Sequence, residues 1–90
     1  MKSYTCTVEG SFAGSKFQSW VRDAADQLGL KGWVRNIGHN KAEVLLQGSA
    51  ESYGVFRERM KAEAPVPDLS HISCKSLDYH KEFHGFETRG

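Results

Sequence analysis

The chain has 90 residues, room for one domain with one modest core. Its 12 basic and 11 acidic side chains leave a net charge of +1, a balance that argues against nucleic acid as the main partner. No apolar run reaches the roughly 18 residues of a membrane span, and the opening MKSYTCTVEG lacks the apolar stretch and cleavage site of a secretory leader.

The first element is a half-buried strand. Tyr4, Cys6 and Val8 alternate with Thr5, Thr7 and Glu9, and Gly10 and Phe12 continue the inward face. Gly14 and its small neighbours break that pattern. From Phe17 the period changes: Phe17, Val21, Ala24, Ala25 and Leu28 share one face of a helix, and Gly29 stops it. Trp33 to Asn36 reads as a second strand and IGHNK, residues 37–41, as a turn. Ala42, Val44 and Leu46 alternate as a third strand that pairs back on the second.

Tyr53, Phe56 and Met60 mark a second amphipathic helix, weakened in its first half by Gly54. APVPD, residues 64–68, links it to a fourth strand over 70–79, and residues 83–88 suit a short fifth. The order β-α-β-β-α-β is the split βαβ arrangement, an α+β sandwich of the ferredoxin-like kind. It predicts an antiparallel sheet with two helices on one face. No linker or repeat divides residues 1–90, so a single domain is expected. Cys6 and Cys74 do not form a CxxC. The expectation is two reduced, buried thiols in a cytoplasmic protein; pairing stays open if their strands are neighbours.

The stretch GSFAGSKFQSW, residues 10–20, joins the first strand to the first helix. The first N–H groups of a helix lack intrahelical partners and carry a partial positive charge. A loop of small residues lets an anion approach them. Ala13, Gly14, Ser15, Lys16, Phe17 and Gln18 are therefore candidates for a phosphate-holding loop. The alternative is an ordinary strand-to-helix turn in which glycine only supplies a positive φ.

A second stretch adds to this. Leu28 through Asn36 read LGLKGWVRN, and with the loop they resemble the acylphosphatase family. That family has the pattern L-G-L-x-G-W-V-R-N, matched here in full. Its loop pattern, G-x-V-Q-G-V-x-F-R, is met by Gly10-Ser11-Phe12-Ala13-Gly14-Ser15-Lys16-Phe17-Gln18. Ala42-Glu43 and Gln47-Gly48 fall on the family's V-E and Q-G, and Phe56 and Pro65 fit its second helix and the turn after it. The resemblance implies a ferredoxin-like fold. It also implies hydrolysis of a carboxyl–phosphate anhydride to carboxylate and phosphate, without metal or cofactor. The loop N–H groups and the loop arginine hold the phosphoryl oxygens, and the asparagine matched by Asn36 orients the attacking water.

The loop arginine is replaced by Gln18. An arginine meets phosphoryl oxygens with a charged planar fork, whereas glutamine is shorter and neutral. Losing such an arginine costs on the order of 10³–10⁵ in rate. The expectation is therefore a weak or inactive hydrolase whose residues 13–18 still bind a small acyl phosphate or inorganic phosphate. Lys16 and Arg22 are weighed as replacement cations. Arg35 is a poor one, because strand alternation turns it away from Asn36. The alternative is a non-enzymatic binding or regulatory module.

The other departures from the pattern, Ala13, Ser15 and the His39-Asn40 turn, leave a loop and a hairpin that can still form. His80 and His84 are four apart, about 13 Å along a strand, too far for one metal. No metal site is expected. Trp33 is expected to pack, and Trp20 lies off the apolar stripe. The first strand's open face offers only Thr5, Thr7 and Glu9, with no RNA-binding strand motif. A monomer with no nucleic-acid or membrane partner is expected.

Overall fold

The computed structural model describes residues 2–10, 16–38, 40–64, 66, 69–78 and 81–89. The predicted alternation in the first strand, β1 (Lys2–Glu9), buries Tyr4, Cys6 and Val8 on one side. The change of period gives α1 (Phe17–Gln27), which buries Phe17, Val21, Ala24 and Ala25 as expected. Two glycines of the LGLKGWVRN stretch have conformations that need glycine. Gly29 ends α1 at φ +69°, and Gly32 sits at φ +138°, where a Cβ would strike the Leu45 carbonyl.

Then follow β2 (Lys31–Asn36), β3 (Lys41–Gly48), α2 (Ala50–Glu63), β4 (Ser70–Leu77) and β5 (Phe86–Arg89). Gly54 lies inside α2 without interrupting it. The strand order is β4-β1-β3-β2-β5. The first four strands pair antiparallel, as the split βαβ reading requires. β5 adds to the edge of β2 in parallel, so the five-stranded sheet is mixed. Cys6, Val8, Val34, Val44 and Leu46 from the sheet meet Phe17, Val21, Ala25, Phe56 and Met60 from the two helices in one core. The fold is the ferredoxin-like α+β sandwich. Among the described residues no helix is long and apolar enough to cross a membrane.

The expectation of two reduced thiols is corrected. Cys6 and Cys74 are direct partners across β1 and β4, with Cα atoms 4.0 Å apart, and form a disulfide. Their sequence separation of 68 hid this, because the pairing follows from strand order rather than from local pattern.

The other side of the sheet is partly covered. Leu45 and Gln47 face away from the helices yet are only 3% exposed each. Residues 81–85 cross that face between β4 and β5, and Phe83 is buried there. The Gln47 Nε2 donates to the Lys81 carbonyl at 2.6 Å and to Ser3 Oγ at 3.1 Å, and its Oε1 accepts the Phe83 N–H at 2.9 Å. The Gly32 N–H then donates to the Gly85 carbonyl at 3.1 Å, where β5 begins beside β2.

Candidate functional site

The described candidate residues, Lys16, Phe17, Gln18 and Asn36, lie at one end of the sheet. β1 finishes there, and the Gly10 N–H donates to the Asn40 carbonyl in the β2–β3 turn at 2.9 Å. α1 starts there. Its N-cap is Lys16, an exposed ammonium that has no acceptor and so gives no side-chain cap; its first turn holds no acid. The Lys16 carbonyl accepts the Trp20 N–H at 2.9 Å, which closes the first helical turn. Phe17 drives its ring into the core and anchors that turn.

Gln18 follows, half-buried, with Nε2 donating to the Arg89 carbonyl at 3.1 Å. Arg89 is the last residue of β5 and stands beside Arg35 in the parallel register. Asn36 is the next residue of β2, exposed at its end, opposite Ala42 of β3. Alternation puts Asn36 on the side of buried Val34, the side on which the helices lie. The bond from Gln18 to β5 and the register of β5 on β2 thus bring Gln18 and Asn36 to the same corner. Ala13, Gly14 and Ser15 lie outside the described residues.

The cations considered as replacements are placed differently. Arg22 is exposed, with Nε 3.9 Å from Asp23. Arg35 turns to the open face, as its strand position predicts, and pairs with Glu43 at 2.8 Å. Its guanidinium lies 4.9 Å from the Trp33 ring centre, and that of Arg89 lies 5.2 Å from the same ring. Arg89 also pairs with Glu87 at 3.2 Å. Trp33 therefore packs as expected, but against two carboxylate-paired arginines rather than in the core. Lys16 remains exposed at the helix start with no ion pair to a described residue. Trp20 is half-buried, tilted against Phe56 at 6.1 Å.

Among the described residues no three His, Cys, Asp or Glu side chains gather as metal ligands. His84 is exposed and His80 lies outside the described residues. The pair of His71 and Glu9, 3.4 Å apart, bridges β4 to the end of β1.

Sequence reading missed Arg89 as part of this arrangement, and placed Gln47 only on the family's Q-G without a role. A signal was present for the second. Leu45 breaks the alternation of Ala42, Val44 and Leu46, which says that something covers the open face at that point.

The arrangement offers helix N–H groups and an amine for an anion, and an exposed carboxamide, Asn36, to hold a water. A family model described as Acylphosphatase matches residues 4–88. An acylphosphatase from Nitrosococcus oceani is 40% identical over 84 residues, covering 93% of this chain and 93% of that one. The crystal structure of acylphosphatase from Bacillus subtilis superposes with a TM-score of 0.90 at 28% identity, covering 100% of both chains. The structure of an acylphosphatase from Coxiella burnetii does so with a TM-score of 0.86 at 28% identity, covering 98% of this chain and 92% of that one.

Proposed function

Because this chain belongs to the acylphosphatase family, we propose that the start of α1 holds the phosphoryl group of a small acyl phosphate, or inorganic phosphate, and that turnover there is weak. The family and the fold support acyl phosphate hydrolysis. In this reading the N–H groups of residues 13–18 bind the phosphoryl oxygens, and Lys16 adds a mobile positive charge. The Asn36 carboxamide holds a water in line with the leaving group. Water oxygen bonds to phosphorus, the bond from phosphorus to the acyl oxygen breaks, and the carboxylate departs with the electron pair. No cofactor, metal or nucleic acid takes part. In this reading the chain acts as a monomer.

One observation carries the reduced turnover. The side chain on the first turn of α1 is Gln18, a neutral amide whose Nε2 is already donated to the Arg89 carbonyl. It offers the transferring phosphoryl group no charge. Arg35 and Arg89 are paired with glutamates on the open face and do not supply the missing guanidinium. Cytoplasmic residence, as part of this reading, requires the Cys6–Cys74 bond to withstand a reducing compartment.

The test is hydrolysis of a simple aryl acyl phosphate by the native chain beside Gln18→Arg. A slow native chain and a gain on the order of 10³ or more in the variant support the reading. A fast native chain overturns the role given to Gln18. Two inert proteins that bind no phosphate point instead to a non-enzymatic binding module.

A further inference from the structure

Gln47 lies on the face of the sheet away from the helices, at the end opposite to Asn36 on the neighbouring strand, yet it is tied to the candidate site. Its amide is fully used. Nε2 serves the Lys81 carbonyl and Ser3 Oγ, and Oε1 serves the Phe83 N–H. Only a side chain that donates and accepts at once can do this. Leucine would fill the space and leave both backbone groups unserved, and an ionised glutamate would turn an oxygen on the Lys81 carbonyl.

The strap of residues 81–85 that Gln47 holds delivers Gly85 to the Gly32 N–H. From there β5 runs beside β2 in register, Gly32 with Phe86 through Arg35 with Arg89. The Arg89 carbonyl then receives Gln18 at the start of α1. β5 is thus the spacer between the helix start that would hold phosphate and the strand end that carries Asn36. Its four residues have their position along β2 set by where the strap ends.

We propose that Gln47 is a positioning residue for the anion site: by fixing the strap it sets the register of β5, and β5 sets the start of α1 against Asn36. This rests on the functional reading above. It differs from a purely structural role because misplacing phosphate and water by a fraction of an ångström costs turnover without unfolding the chain.

The experiment compares Gln47→Leu and Gln47→Glu with Met60→Ala, a core change under α2 that lowers stability without touching the strap. All are made in the native chain, in which Gln18 still reaches the Arg89 carbonyl, and all are measured well below their melting temperatures. The probes are inorganic sulfate for affinity, an aryl acyl phosphate for kcat and KM, and amide hydrogen exchange. Gln47→Leu is expected to weaken sulfate binding about tenfold and to lower the native chain's kcat by up to about 10², more than it raises KM. Exchange should quicken at residues 86–89 and at 17–20 together. Gln47→Glu should behave likewise near neutral pH and recover sulfate affinity relative to the native chain as acid protonates it, because the carboxyl O–H restores a donor. Met60→Ala should lower Tm and leave sulfate affinity and the kcat-to-KM pattern alone.

The proposal is overturned if Gln47→Leu keeps native sulfate affinity, native turnover and native exchange at 17–20. It is equally overturned if Met60→Ala, at matched stability, reproduces every change. Failure of the underlying reading has a different signature: the native chain takes up no sulfate and Gln18→Arg gains no hydrolysis.

Discussion

The two helices of this fold begin in opposite ways. α2 opens with Ser49, whose Oγ accepts the Ser52 N–H at 3.1 Å, and carries Glu51 in its first turn. Its positive end is satisfied by its own residues. α1 opens with Lys16, has no side-chain cap and carries no acid in its first turn. A cation at that end opposes the helix dipole, and a sequence shaped only for stability would not put one there. The difference bears on the proposed site: α2 has a side-chain cap and a first-turn acid, whereas among the described residues α1 has neither, which is what the reading of an anion at its start requires.

This contrast can be sharpened or broken by measurement. The largest effect is expected from Gln18→Arg, a gain on the order of 10³–10⁵ in acyl phosphate hydrolysis, read as kcat/KM. Next comes Asn36→Ala, made in that faster background. It should remove about 10²-fold or more of the turnover while phosphate still binds, since a water-holding group acts on the chemical step. Full activity in that variant would show that the water is held elsewhere.

Smaller effects separate the two helix starts directly. Ser49→Ala should cost about 1 kcal/mol of folding stability in a denaturant titration and leave phosphate affinity unchanged. Lys16→Glu should do the reverse. It should stabilise the free chain by about 0.3–1 kcal/mol at low salt and weaken phosphate binding several-fold, with the difference shrinking as salt is added. If the two substitutions had the same effect on phosphate, the asymmetry of the helix starts would have no bearing on ligand.

Much of this was legible in the residues. Tyr4, Cys6 and Val8 fall on one side of β1, and Phe17, Val21, Ala24 and Ala25 on one face of α1, because apolar spacing states its own period. Gly29 and Gly32 could be placed from their motif, and the structure supplies the backbone reasons. What escaped the sequence was long-range. Nothing near Cys6 says that Cys74 stands opposite it, and nothing near Gln18 says that Arg89 will offer its carbonyl. Those facts depend on which edges β4 and β5 take, and edge choice is settled by the whole sheet. The loop residues Ala13, Gly14 and Ser15 remain an expectation drawn from resemblance, with Lys16 and Gln18 fixing where that loop must end.

The bond between Cys6 and Cys74 encloses most of the molecule in a covalent ring. Both helices, β2 and β3 lie within it, so a single proteolytic nick anywhere between the two cysteines leaves fragments that travel as one mass until a thiol is added. The strap and β5 lie outside the ring. Their place depends on hydrogen bonds and packing alone, among them those of Gln47 and Gly32. The chain therefore divides into a closed hoop and a free tail, and it is the tail that reaches across to the start of α1.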